Sequence, residues 1–121
     1  MLALSDSRRY YLYSADTNMS RSFDSLSGIV RGELHQDPLS GDIFVFLNRR
    51  RNQIKLLLWE KDGFSIYYKR LEKGTYELPL IDPGSASIKL QCHQLLLILE
   101  GIWLGSVRRR KRFIMEEPAY K

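Results

Sequence analysis

The chain has 121 residues, of which 44% are hydrophobic and 27% charged, and its formal net charge is +5. This length and composition are those of an ordinary globular protein with one core. The longest aliphatic run, residues 95–99, is much shorter than the roughly 20 residues that cross a bilayer, and the first residues lack the apolar segment of a signal peptide. A single cysteine, Cys92, excludes an internal disulfide. We therefore expect a cytoplasmic protein without membrane contacts.

The first predicted elements are a strand and a helix. Residues 9–14 are rich in aromatic side chains, which is typical of a strand. Helical spacing of apolar side chains follows in residues 22–35, at Phe23, Leu26, Val30 and Leu34. Gly28 and Gly32 lie four residues apart on this helix and predict a smooth face for close packing. The Asp-Pro pair at residues 37–38 ends the helix.

The middle of the chain predicts a series of hairpins. Residues 43–47 are continuously apolar, as in a buried central strand. Residues 48–52 form a loop of mostly arginine, which leads into strands at residues 53–60 and 64–71. Asp62-Gly63 is a strong turn signal between these two strands. A further edge strand is expected at residues 75–78, before Pro79.

A two-residue turn at Asp62-Gly63 would set the pairing of the two long strands. The predicted opposite pairs are Trp59 with Ile66, Leu57 with Tyr68, Lys55 with Arg70, Leu56 with Lys69, and Leu58 with Tyr67. Both faces of this ribbon are then apolar in the middle and basic at the end distant from the turn. We therefore expect the basic residues of the ribbon to gather beside the arginine loop.

The last part of the chain predicts a short strand at residues 88–90 and a helix at residues 91–100 that ends at Gly101. Its core-facing side chains are expected to be Leu95, Leu96 and Leu99. The predicted fold is a single α+β domain over residues 1–106, in which an antiparallel meander of four or five strands is covered by two helices. Residues 107–121 are expected to form a basic, mobile tail.

The order of several motifs resembles the Orf2-like accessory proteins (TnpB) of the sixty-six family of bacterial insertion sequences. The strongest stretch, residues 37–64, carries Asp-Pro, Ser-Gly, Phe-Val-Phe, Asn-Arg-Arg, Ile-Lys-Leu, Trp and Asp-Gly in that order. Tyr-Lys-Arg-Leu-Glu-x-Gly at residues 68–74 and Leu-x-x-x-Leu-Glu-Gly at residues 95–101 continue the resemblance, which spans residues 10–103. It implies a role in DNA transposition beside a separate transposase, with no known catalytic activity.

An earlier motif of this family, approximately Thr-Asp-Met-Arg-Lys-x-Phe-Asp-Gly-Leu, corresponds to residues 17–26. This chain departs from it at Asn18, Ser20 and Ser25. The departures replace an acid, a base and a helix glycine, so the resemblance leaves open whether the first turn of the helix keeps its role.

Basic residues are concentrated in two clusters. Eight of the nineteen lie in residues 49–73, against three acids, and six lie in residues 108–121. Focused positive charge attracts polyanions, and arginine matches phosphate oxygens. We therefore predict DNA contacts at Arg49, Arg50, Arg51, Lys55, Lys69, Arg70, Arg108, Arg109, Arg110, Lys111 and Arg112, with Arg21 as a weaker candidate. The alternatives are a solvated turn, ordinary sheet flanks and a tail that aids solubility.

Other site types have less support in the sequence. Trp59, Tyr67 and Tyr68 are candidates for stacking on unpaired bases, although aromatic residues on a sheet more often belong to the core. A nuclease would need clustered carboxylates for its metals, and the available ones are Asp16, Asp24, Asp37 and Asp42. His35, His93 and Cys92 do not complete a set of catalytic or zinc-binding residues. We therefore expect no enzyme activity, cofactor or metal.

Three functions therefore remain as hypotheses. The first is an accessory protein of transposition that binds DNA directly. The second is an adaptor that binds the transposase without touching DNA. The third, with the least support, is a small nuclease.

Overall fold

Five strands and two helices are formed by the part of the chain that this computed structural model describes, residues 4–79, 82 and 84–101. In chain order they are β1 (Tyr10–Tyr13), α1 (Phe23–Gly32), β2 (Ile43–Leu47), β3 (Gln53–Glu60), β4 (Gly63–Arg70), β5 (Ser87–Leu90) and α2 (Cys92–Glu100). The sheet order is β4-β3-β2-β1-β5. The predicted α+β fold with two covering helices is confirmed.

One strand pair departs from the antiparallel description. β1 runs parallel to β2, whereas β2, β3 and β4 form the expected antiparallel meander and β5 pairs antiparallel with β1. A helix can carry the chain back between parallel neighbours, and α1 does this between β1 and β2. As a result, the loops that follow β1, β2 and β4 all lie at the same end of the sheet.

Each face of the sheet carries its own apolar cluster. On one face α1 contributes Leu26, Val30 and Leu34, which pack on Phe44, Phe46 and Leu57. On the other face α2 and residues 71–76 pack on the remaining inward side chains of the strands, including Tyr10, Val45 and Leu56. Because both faces are covered, every residue of β2 is buried, as the continuous apolar run predicts.

Two predicted details of the second cluster are wrong. Residues 75–78 do not form a strand; instead Tyr76 is buried in the cluster, and its N–H bonds to the carbonyl of Arg51 at 2.7 Å. In α2 the buried residues are Leu95 and Ile98, whereas Leu96 is 43% exposed. Residues three apart share a helix face, whereas a neighbour points about 100° away.

The register between β3 and β4 also differs from the prediction by two residues. Trp59 lies opposite Phe64, and Leu57 lies opposite Ile66. The turn consists of Lys61, which has a φ of 53°, and Asp62, while Gly63 is already the first residue of β4. This register sets Ile66 against the buried Leu57 and lets Phe64 pack edge-on against Trp59, with ring centroids 5.0 Å apart. A shift by two keeps every side chain on its predicted face.

The expected close-packed glycine face on α1 is absent from the described structure. A Cβ atom added at Gly28 or Gly32 would meet nothing within 4 Å. Both glycines lie on the exposed side of the helix, away from Leu26 and Val30.

Candidate nucleic-acid interface

The arginine loop, residues 49–51, is held by the side chain of Asn48. Its Oδ1 accepts hydrogen bonds from the N–H groups of Asn52 at 3.0 Å and Gln53 at 2.9 Å, and its Nδ2 donates to Asn52 Oδ1 at 2.7 Å. Arg51 adopts the left-handed region with a φ of 59°. The N–H of Arg51 bonds to the carbonyl of Asn48 at 3.0 Å, which closes a β-turn over Arg49 and Arg50. All three arginines are exposed, so a fixed backbone presents three guanidinium groups to solvent.

The chain that follows β4 brackets this loop from the side. Leu71 N–H bonds to the carbonyl of Asn52 at 2.8 Å, and Tyr76 N–H bonds to that of Arg51 at 2.7 Å. Residues 72–75 therefore form a turn beside the arginine loop. This turn brings the exposed Lys73 to the end of the sheet that carries the arginine loop, where β4 also ends.

The segment between β1 and α1 lies on the other side of the loop. Thr17 N–H bonds to the carbonyl of Leu47 at 2.8 Å, which ties this segment to the end of β2. Between the segment and the loop is an open groove of about 570 Å³. Its lining consists of Asp16, Thr17, Asn18, Met19, Asn48, Arg49, Arg50 and Gln53.

Lys55 has a different position from the one that the sequence predicts. Its side chain is buried, and its ammonium group donates to the backbone carbonyls of Met19 at 2.8 Å and Arg21 at 2.7 Å. Burial lowers the pKa of Lys55. Because its donors are directed inward, Lys55 supports the segment before α1, and a phosphate on the surface cannot reach it in this conformation.

The N-terminus of α1 opens at the same end of the sheet. Ser22 is the N-cap, but its side chain makes no capping hydrogen bond, so the first N–H groups of the helix keep their partial positive charge. The exposed Arg21 precedes the helix and donates from Nη1 to the hydroxyl of Ser25 at 2.5 Å. Arg21 adds positive charge to the region beside the arginine loop, whereas Asp24 in the first turn of α1 offsets part of the positive potential at the start of the helix.

The structure thus brings together most of the predicted basic residues that it describes. We call this surface the basic end; it consists of Arg21, Arg49, Arg50, Arg51, Lys69, Arg70 and Lys73. Arg70 is paired there with Glu72 at 3.2 Å in an exposed ion pair. Lys73 was not among the predicted contacts, although its position in a Lys-Gly turn just after the basic ribbon was an available signal. The predicted tail contacts, residues 108–112, lie outside the described residues.

The three candidate stacking residues do not share a surface. Trp59 lies near the β3–β4 turn, at the opposite end of the sheet from the arginine loop. Tyr67 and Tyr68 are exposed but are consecutive strand residues and therefore point to opposite faces. Tyr68 covers Lys55, whose ammonium nitrogen is 4.7 Å from the ring centroid. A platform for several stacked bases is not formed by these side chains.

The aspartates proposed for a nuclease have separate local roles. Asp42 is buried and bonds to Arg9 Nε at 3.0 Å, a pairing that raises the pKa of Arg9. Asp37 Oδ1 accepts a hydrogen bond from Leu39 N–H at 2.9 Å, and Asp24 lies in the first turn of α1. Among the described residues, no group of three His, Cys, Asp or Glu side chains is arranged to hold a metal ion. Nor does the described part contain a helix with the length and apolar character that spanning a membrane requires.

Comparison with known proteins adds a family match. The family described as "IS66 Orf2 like protein" matches residues 8–109. Two uncharacterized proteins of Sinorhizobium fredii (strain NBRC 101917 / NGR234) are similar over most of their length. The protein y4hO is 30% identical over 84% of this chain and 87% of its own length, and y4jC is 26% identical over 91% and 92%. No solved structure matches.

Proposed function

The chain belongs to the IS66 Orf2-like family of insertion-sequence proteins, and from this membership we propose that it is a non-enzymatic accessory protein of transposition that binds DNA through its basic end. The family supports an accessory role in transposition. Direct DNA contact is the more specific part of the proposal and depends on the geometry of the basic end.

The observation that carries this proposal is the anchored arginine loop. A flexible loop loses conformational entropy when its arginines are ordered on a phosphate. A loop whose backbone is already fixed loses less. The carboxamide of Asn48 holds this backbone with two hydrogen bonds from backbone N–H groups and donates a third to the side chain of Asn52. Planar guanidinium groups can then make paired hydrogen bonds to phosphate oxygens.

The surroundings of the loop support the same ligand. Lys69, Arg70 and Lys73 lie on one side of it, and Arg21 with the uncapped N-terminus of α1 lies on the other. The groove between the loop and residues 16–19 is open to solvent, which suits a backbone that passes across the surface. Contacts of this kind fix the position of a duplex but do not read its sequence.

A second candidate function is an adaptor that binds an acidic surface of the transposase. The exposed ion pair between Arg70 and Glu72 supports this alternative, because it is a carboxylate contact that the basic end already makes within the chain. On this alternative the purified protein would co-elute with the transposase at low salt and would not bind DNA.

The test is fluorescence anisotropy with a duplex of element-end sequence and a scrambled duplex, each across a salt series. The double variant Arg49→Gln/Arg50→Gln is compared with the control Arg31→Gln/Lys61→Gln. The control removes two exposed charges from α1's last turn and the β3–β4 turn, at the other end of the sheet.

If the proposal is correct, the loop variant binds more weakly, and its salt dependence falls by a slope of about 1.8, which corresponds to two lost phosphate contacts. The control retains most of the affinity and the slope. Equal losses in both variants would mean that only net charge matters. An absence of binding to either duplex at low salt would overturn direct DNA binding and favour the adaptor.

A further inference from the structure

β4 is one of the two outer strands of the sheet, and its far edge is not paired with any residue that the structure describes. It has eight residues, Gly63–Arg70, and pairs with β3 without interruption along its whole length. An outer strand of this length presents a row of unpaired backbone groups, which proteins usually block with proline, a bulge or a central charge. β4 contains none of these, since its charged residues are the last two.

The groups on this open edge can be identified from the register. Leu71 N–H bonds to the carbonyl of Asn52, so this pair lies on the hydrogen-bonded rung of the β3–β4 ladder. Rungs alternate in an antiparallel pair, so the odd-numbered residues of β4 direct their backbone groups to β3. The even-numbered residues Phe64, Ile66, Tyr68 and Arg70 therefore direct theirs outward.

We propose that two copies of this chain associate through β4 in an antiparallel pair, with a two-fold axis at Ile66. In this arrangement Ile66 lies opposite its own copy, and Phe64 lies opposite Tyr68. In each of these residue pairs, the backbone N–H and C=O groups that form hydrogen bonds are directed outward on both copies. The result is one continuous sheet of ten strands with closed symmetry, in which the same edge serves both partners.

Charge complementarity supports this register. With the axis at Ile66, Asp62 of one copy lies opposite Arg70 of the other, and the symmetry produces this pair twice. No lysine or arginine lies directly opposite another, because Lys69 faces Gly63 of the copy and Lys61 faces Leu71. An axis at Tyr68 would set Arg70 against Ile66 and leave Asp62 without a counterpart. Opposite charges on facing strands stabilise an antiparallel pair.

The arrangement has a consequence for DNA that rests on the proposed function. Because the two β4 strands run in opposite directions, the two basic ends lie at opposite ends of the ten-stranded sheet. A dimer of this form presents two surfaces that face away from each other. It is suited to holding two separate duplexes rather than to clamping one.

The first test is sedimentation velocity of the protein alone across a concentration series up to high micromolar. We expect a monomer–dimer equilibrium. Arg70→Asp and Asp62→Lys should each raise the dimer dissociation constant about tenfold, since each creates two like-charge pairs. The double variant with both changes should return close to the wild-type value, because it restores the pairs with reversed signs.

Lys69→Asp is the matched control, because it makes the same charge change beside Arg70 but lies opposite Gly63 of the copy. Equal weakening by Lys69→Asp and Arg70→Asp, or no rescue in the double variant, would overturn this register. A wild-type protein that stays monomeric at high micromolar concentration would overturn the proposal itself.

A proline variant gives an independent measurement. In Ile66→Pro the lost N–H points outward, so the ladder with β3 keeps its bonds, and the contact between copies loses two hydrogen bonds, one from the N–H of each copy. We expect the variant to be folded by circular dichroism and monomeric by sedimentation velocity. A folded Ile66→Pro that dimerises like the wild type would exclude this edge; if it does not fold, the charge-reversal set decides.

These measurements contain no DNA, so they separate the two proposals. A dimer that binds no duplex would contradict the proposed function and leave the association intact. A monomer that binds DNA would do the reverse.

Discussion

The ammonium nitrogen of Lys55 lies 4.7 Å from the ring centroid of Tyr68, which is directly opposite it on β4. The hydroxyl of the same tyrosine donates a hydrogen bond to the side chain of Gln53, at the base of the arginine loop. Lys55 is thus enclosed between an aromatic ring and the carbonyls of Met19 and Arg21. One buried lysine therefore connects the segment before α1 to the two long strands.

The first prediction concerns the pH dependence of Lys55. Burial places its pKa in the folded protein below that of an unfolded lysine. The unfolded state consequently binds more protons between the two pKa values, so the stability contributed by Lys55 rises with pH in that window. We expect the Tm of wild type minus that of Lys55→Met to increase from pH 8 to pH 10, measured by thermal melts.

The exposed Lys69 provides the control for this experiment. Lys69→Met removes the same residue type from an exposed position on the neighbouring strand, so a rise with pH that Lys55→Met shows and Lys69→Met does not belongs to the buried site. A constant difference for Lys55→Met as well would contradict the proposed burial of the charged group.

The second prediction tests the anchor of the arginine loop. Asn48→Ala removes three hydrogen bonds without changing the charge of the protein. We expect the free energy of unfolding to fall by about 2 kcal/mol in denaturant titrations. DNA affinity should also fall, because the arginines would then have to be ordered on binding.

A suitable comparison is Asn18→Ala, which removes a single exposed hydrogen bond to Ser20 N–H in the same region. It should have a much smaller effect on stability. Wild-type DNA affinity in Asn48→Ala would show that a fixed loop backbone is not needed for binding.

The third prediction separates backbone strain from charge within the loop. Arg51 has a φ of 59°, which costs an L-residue roughly 1–2 kcal/mol and costs glycine almost nothing. Arg51→Gly should therefore raise the free energy of unfolding by up to about 1 kcal/mol. Arg50→Gly, which does not have a positive φ to relieve, should lower it by about 0.5–1 kcal/mol.

Both glycine variants lose one positive charge, so net charge cannot explain a difference in their stabilities. Denaturant titration of the two proteins under the same conditions provides the comparison. Equal changes in both would mean that the left-handed conformation at Arg51 carries no strain.

The fourth prediction concerns the helix glycines. Gly28 lies inside α1 with open space around the position of a Cβ atom, so Gly28→Ala should stabilise the protein by about 1 kcal/mol. A close-packed face would give the opposite sign. Gly41→Ala is the contrasting variant, because Gly41 has a φ of 90° and alanine is strained there. Thermal melts of the two variants should move in opposite directions.

Much of the local structure was predictable because it depends on short stretches of chain. The apolar run of β2, the Asn-Arg-Arg loop and the helical spacing of Leu26 and Val30 each have one favourable local conformation. Membership of the family was also predictable, because the order of its motifs can be read directly from the sequence. The family match confirms this membership.

Other details could not be predicted, because two local arrangements fit the sequence almost equally well. Both possible turns near Gly63 keep the same side chains on each face, so the pattern alone could not choose between them. Packing of Ile66 on the α1 side and of Phe64 against Trp59 decided the register. Leu95, Leu96 and Leu99 are equally apolar in the sequence, and only the direction from which the sheet meets α2 left Leu96 exposed.

The residues of the basic end also divide into those that local sequence predicts and those that the fold brings together. The concentration of arginine in one hairpin loop was readable from the residues, because the motif and the turn are local. Which distant residues join that loop depends on the fold: the parallel crossover through α1 brought Arg21 to it, and the turn after β4 brought Lys73. It also removed Lys55, because a lysine on a strand that both layers cover must direct its charge to internal carbonyls rather than to solvent.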